Sequence, residues 1–94
     1  MEPLSNVLPP SAEVSPDGHL SIGGCDVVAL AEQYGTPVVI YDAGALRDTM
    51  QRYVSAFRAH DPRAEVIYAS KAFWAQAVLR MVHEEDLRVD VASG

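Results

Sequence analysis

The sequence predicts an α/β fold with parallel strands, on three observations. Short apolar runs at residues 38–41 (VVIY), 64–69 (AEVIYA) and 87–92 (LRVDVA) have the length and composition of buried strands. Two longer stretches, residues 43–59 and 73–85, repeat apolar side chains every three or four positions, the period of an amphipathic helix. The resulting order is β, α, β, α, β, and strands joined through single helices make crossovers that lie parallel in one sheet.

Taken in order, residues 1–18 carry Pro3, Pro9, Pro10 and Pro16 among polar residues, which breaks any helical or alternating pattern and predicts an extended leader. Residues 19–22 can form a short strand, closed by a turn at Gly23 and Gly24, where positive φ costs nothing. Asp26 is placed to cap a helix over residues 27–34, whose apolar positions are Val27, Leu30, Ala31 and Tyr34, and Gly35 is its stop signal. After the strand at 38–41, Asp42 caps the helix 43–59, with Leu46, Met50, Tyr53, Val54 and Phe57 on one stripe and Arg47, Asp48, Gln51, Arg52 and Arg58 on the wet side. His60, Asp61, Pro62 and Arg63 end that helix. The strand 64–69 follows, then a helix whose buried face combines Trp74, Ala77, Val78, Met81 and Val82, then the strand 87–92. The expected division is a leader and short strand over residues 1–21 and one domain from 22 to 94.

A chain of 94 residues makes at most one small domain and buries a modest share of its surface. Its 49% hydrophobic and 21% charged residues are those of a chain that folds. A net charge of −6 offers no basic face, so nucleic acid and anionic lipid are not expected partners, and a small molecule or another protein is. The single cysteine, Cys25, has no internal partner, and neither a signal peptide nor a membrane-spanning run is legible, so the expected location is the cytoplasm. His19, His60 and His83 have no metal-ligand spacing among themselves or with Cys25, and no metal site is expected. Glu84, Glu85 and Asp86 read as a solvated acidic run, moderated by Arg80 and Arg88.

The chemically informative stretch is residues 68–72 (YASKA), where a lone lysine, Lys71, follows an apolar strand between small residues. In parallel α/β architectures the carboxyl ends of strands are where reactive side chains converge. A lysine attacks a carbonyl only as the neutral amine, which at neutral pH requires desolvation or nearby positive charge, and the apolar strand end is expected to supply the desolvation. The ordinary alternative is a solvated strand terminus. Tyr41 and Tyr68 read as wall residues rather than catalysts.

Residues 34–46 (YGTPVVIYDAGAL), 68–73 (YASKAF) and 90–94 (DVASG) resemble, in order and spacing, the start of the diaminopimelate decarboxylases. The resemblance covers nearly everything from Ile22 onward. It implies the opening βα units of a TIM-type (β/α)8 barrel of the alanine-racemase-like class, incomplete in this chain, with a second, mostly β domain and a homodimer in the full-length protein. It implies pyridoxal 5'-phosphate as cofactor, Lys71 as the lysine forming its Schiff base, Asp90 as a neighbour of cofactor and lysine, and meso-diaminopimelate as substrate. Ser93 and Gly94 match the beginning of a small-residue turn that the family continues with a second glycine and an acidic residue. By the same resemblance, the phosphate cradle and the substrate-binding residues lie beyond Gly94, and these residues alone are expected to have no decarboxylase activity. Related readings remain open: an ornithine or arginine decarboxylase, an alanine racemase (though Phe73 departs from the KAN sequence common there), or a non-catalytic cofactor-binding or interaction module.

Overall fold

The structure, a computed structural model, describes residues 6–91. The chain divides into two compact units, Met1–Leu46 and Arg47–Gly94.

The first unit is an antiparallel meander followed by a helix. Strands β1 (Glu13–Val14), β2 (Leu20–Ile22) and β3 (Cys25–Asp26) pair in sequence order, with Val14 opposite Leu20 and Ile22 opposite Cys25. The expected turn forms at Gly23 and Gly24, at φ 59° and 81°, the two successive positive values that match a two-residue hairpin loop to strand twist. β1 lies within the stretch expected to be only an extended leader. Its two residues gain order from the neighbouring strand, and no period could announce them.

Helix α1 (Val27–Tyr34) starts where Asp26 accepts hydrogen bonds from the amides of Val28 and Ala29, and ends at Gly35 (φ 84°), whose N–H donates to the Ala31 carbonyl at 2.8 Å. This is side-chain capping followed by a glycine stop, as the sequence predicts. α1 packs on β2 and β3. Asp42 caps helix α2 (Ala43–His60) through the Ala45 amide at 3.2 Å and accepts the Ser11 hydroxyl, while Ser11 Oγ accepts the Gly23 amide at 2.9 Å.

Residues 38–41, expected as a strand, join neither sheet. An apolar, β-branched run becomes a strand only when a neighbour accepts its ladder, and none of the described strands does so. Tyr41 instead lines a cavity of about 310 Å³ with Ile22, Leu30, Ile40 and Asp42.

The second unit contains the parallel pair. Strands β4 (Ile67–Tyr68) and β5 (Arg88–Val89) lie parallel with Ile67 opposite Arg88 and Tyr68 opposite Val89, connected through helix α3 (Gln76–Glu84), which packs on β5. This bears out the α/β class, although the strands are shorter than the apolar runs that predict them. Val78, Met81 and Val82 form the buried face of α3, and Val82 is fully buried. Beyond its end, Asp86 takes φ 64°, with Leu87 N–H donating to Val82 and Asp86 N–H to His83. These paired bonds close the helix in a Schellman motif, with aspartate in the left-handed position glycine usually holds.

Two expectations about α3 are corrected. The helix begins at Gln76 rather than 73, because Ala75 offers no side-chain cap and Phe73 is extended, its carbonyl held by the Tyr68 hydroxyl at 2.7 Å. Trp74 therefore precedes the helix and is 63% exposed instead of sharing its buried face. Tyr53 and Phe57 of α2 are also exposed, whereas Met50 is buried.

The acidic run finds its cations elsewhere than expected. Arg47 pairs with Glu84 and Glu85, and Arg58 with Asp86 at 2.8 Å, while Arg88 pairs with Glu65. Arg88 adds only a minor share to holding Asp86 below its ordinary pKa, the main cause being the Arg58 hydrogen bond. Helical spacing reveals neighbours along one helix, and these partners arrive from another element.

Candidate functional site: the Lys71 turn

Lys71 sits where β4 gives out. The parallel ladder runs through Arg88 N–H to the Val66 carbonyl at 2.9 Å and Asp90 N–H to the Tyr68 carbonyl at 3.3 Å. By the regular alternation of a parallel pair, the next rung would carry Ser70 N–H to the Asp90 carbonyl. Side chains take over that rung. The Ser70 amide donates to Asp90 Oδ1 at 2.8 Å, and the Ser70 hydroxyl donates to the Asp90 carbonyl at 2.8 Å.

With its rung replaced, the chain leaves the strand direction and closes a single 3-10 turn, Ser70–Ala72, through Ala72 N–H to the Ala69 carbonyl at 3.0 Å. Lys71 is the middle residue of that turn. Ser70 is 8% exposed and the one buried polar residue among those described, with both its amide and its hydroxyl satisfied by Asp90. On the far side, the Tyr68 hydroxyl holds the carbonyl of Phe73. The lysine is thus carried on a turn clamped at both ends by side chains of the strands beneath it.

The Asp90 carboxyl lies below its ordinary pKa, first because the Ser70 amide donates to it, with the Lys71 charge a smaller contribution. A carboxylate that accepts backbone N–H is stabilised in its charged form and is ionised at neutral pH. Lys71 itself is exposed. The desolvation expected of the apolar strand end is not provided by the described residues, because the turn lifts the side chain off the strand into solvent.

The structure brings Asp90, which the resemblance puts near the lysine, to the turn that carries Lys71, and gives it a definite partner there in Ser70. The sequence reading misses Ser70, although a signal exists: a serine two residues past one strand and an aspartate one residue past the next. Tyr68 acts as a strut, consistent with its reading as a wall residue. Ser93 and Gly94 lie outside the described residues.

A second polar cluster, in the first unit, also escapes the sequence reading. His19 Nδ1 lies 2.9 Å from Asp26 Oδ2 and 3.7 Å from Asp17 Oδ2. The Asp26 hydrogen bond and then the Asp17 charge raise the pKa of His19, while Asp26 is lowered chiefly by its bond to His19. The imidazole and Asp26 form a hydrogen-bonded pair that ties the entry of β2 to the cap of α1.

No protein-family model matches the chain. Comparison with curated proteins places it among decarboxylases. It is 46% identical over 93 residues to the diaminopimelate decarboxylase of Synechocystis sp., covering 98% of this chain and 20% of that protein. It is 46% identical over 77 residues to the enzyme of the same name from Bacillus subtilis (82% and 18%), and 42% identical over 84 residues to that of Methanothermobacter thermautotrophicus (89% and 20%). Within that class the particular family is the diaminopimelate decarboxylases, to which the chain belongs over the residues compared. It spans about a fifth of the length of these relatives.

Proposed function

We propose that this chain supplies Lys71 as the cofactor-bearing lysine of a pyridoxal-phosphate-dependent decarboxylase that converts meso-diaminopimelate to L-lysine and carbon dioxide in lysine biosynthesis. The observation that carries this reading is the placement of the chain's one lysine on a clamped turn at the carboxyl end of a parallel strand pair. The residues fit the group: a primary amine, small neighbours at Ala69, Ser70 and Ala72, and an ionised carboxylate at Asp90. Lys71 would hold pyridoxal phosphate through its side-chain nitrogen, and Asp90 would stand beside the cofactor and its lysine. When bound, the cofactor supplies a sink for the electron pair left as a carboxylate departs as carbon dioxide.

The same reading makes the βα units part of a TIM-type barrel of the alanine-racemase-like class, with the barrel domain beginning near residue 22 after a leader and short strand over residues 1–21. Homodimerisation and a cytoplasmic location belong to it, with no nucleic-acid or membrane partner. In support, no helix among the described residues is long and apolar enough to cross a membrane, and the net charge is −6.

Borohydride reduction of a protein of the relatives' full length that contains this chain, in the presence of pyridoxal phosphate and followed by peptide mapping, tests the assignment. The chain's α-amino group is the built-in reference: its reference pKa of about 8 lies well below the 10.4 of lysine, so an unassisted Lys71 would label more slowly. Label on Lys71 equal to or above that on the α-amino group supports the reading. Label confined to the α-amino group overturns it.

A further inference from the structure

We propose that Ser70 and Asp90 form a positioning pair that sets the direction of Lys71 by replacing one rung of the parallel ladder. The inference rests on reading Lys71 as the cofactor lysine and extends it, because it gives Ser70 a role and Asp90 a mechanical one beside its charge. An unmodified ladder would carry Ser70 N–H to the Asp90 carbonyl and keep residue 71 in the strand, its side chain perpendicular to the sheet. With the carboxylate of Asp90 inserted as acceptor of the Ser70 amide and the Ser70 hydroxyl reaching the Asp90 carbonyl, both at 2.8 Å, neither backbone group is orphaned. The strands separate at that point, and the chain can turn at Ser70–Ala72.

Each partner uses side chain and backbone at once, so removal of either leaves a polar group of the other without its acceptor or donor. Ser70 is buried, and so its amide and hydroxyl cannot exchange Asp90 for water without cost. The arrangement is reciprocal and confined to one turn. It acts on Lys71 through backbone direction, since Lys71 takes no part in either bond.

The test uses the full chain as Asp90→Ala, Asp90→Asn and Ser70→Ala variants, with two readouts: hydrogen exchange of the Ser70 amide, and borohydride-trapped pyridoxyl label on Lys71 relative to the α-amino group. Asp90→Ala is expected to speed Ser70 amide exchange and lower the label ratio about tenfold, on the scale that loss of orientation costs a reacting group. Asp90→Asn keeps an oxygen acceptor for the Ser70 amide and is expected to hold Ser70 amide exchange near the wild-type rate, while its label ratio also reads the lost charge. A Ser70 amide that exchanges as fast in Asp90→Asn as in Asp90→Ala would overturn positioning, because the amide oxygen would then not be replacing the ladder acceptor. If Asp90→Ala does not fold, Ser70→Ala, which removes only the hydroxyl, must lower the ratio by itself. In Asp90→Ala, slowed labelling with an unchanged Ser70 amide, or a freed amide with unchanged labelling, refutes the pair. A wild type that labels only its α-amino group overturns the cofactor reading first, a result distinct from variants that match a labelled wild type.

Discussion

The two units of the chain are held together by different means. Met50, Ser70, Val78, Met81 and Val82, all the buried residues among those described, belong to Arg47–Gly94, whereas the described residues of Met1–Leu46 include none. The second unit depends on apolar burial along α3. The first depends on turn geometry and on polar side chains that close backbone ends: Asp26 on α1, Asp42 on α2, and Ser11 between Asp42 and Gly23. The comparison teaches that the unit carrying Lys71 is the one with packing rigid enough to fix a direction, and that perturbations should sort by unit.

The largest effect is expected from Val82→Ala. Removing two methyl groups from a fully buried site costs about 2 kcal/mol, from lost transfer energy plus the cavity left behind. Urea unfolding followed by the fluorescence of Trp74, the single tryptophan and a residue of the same unit, measures it. A loss below about 0.5 kcal/mol, the least expected of a single buried methylene, would mean that α3 is not what holds this unit.

Gly35→Ala is expected to come next and to act on the first unit. At φ 84° and ψ 176° the residue occupies a region that is essentially glycine's, and a side chain there costs about 1–2 kcal/mol. A Cβ would meet nothing within 4 Å, so the cost is backbone strain alone and crowding adds nothing. Amide exchange across α1 would show it as faster opening of that helix; unchanged protection would place the stop elsewhere.

These contrasts also explain what the sequence made legible. The Gly23–Gly24 turn, the Asp26 and Asp42 caps and the Gly35 stop are chemistry between residues at most four apart, and all appear where expected. The class followed from strand and helix order, and β4, α3 and β5 realise it. What escaped needs a distant partner: β1 exists only against β2, residues 38–41 lack a ladder, and the acidic run is neutralised from α2. The candidate site divides in the same way. The place of Lys71 after an apolar strand drew attention to it, and the resemblance pointed to it and to Asp90, but the bond between Asp90 and Ser70 spans twenty residues and has no local period. The exposure of Lys71 was misjudged because desolvation depends on what covers a strand end, which composition at that end does not determine.

The smallest effect separates the units by pH. His19 has its pKa raised above 6.5, by the Asp26 hydrogen bond first and the Asp17 charge second, so its stabilising contribution is complete below about 6.5 and is lost as pH rises through the higher folded value. Asp26, Asp17 and Asp42 are lowered below 3.8, so theirs is present above that value and lost as pH falls through the lower folded ones. The first unit should therefore be most stable between about pH 4 and 6.5 and loosen on the alkaline side. In the second unit the shifted acids, Asp61, Glu85, Asp86 and Asp90, are all lowered, and they predict loss only toward acid. Proton NMR titration of the His19 ring checks the cause: its midpoint should lie above 6.5 and fall in Asp26→Asn, which removes the charge that favours the imidazolium. A midpoint indifferent to Asp26 would remove the hydrogen-bonded pair from the account of how β2 is tied to α1, and with it the alkaline sensitivity that distinguishes the two units.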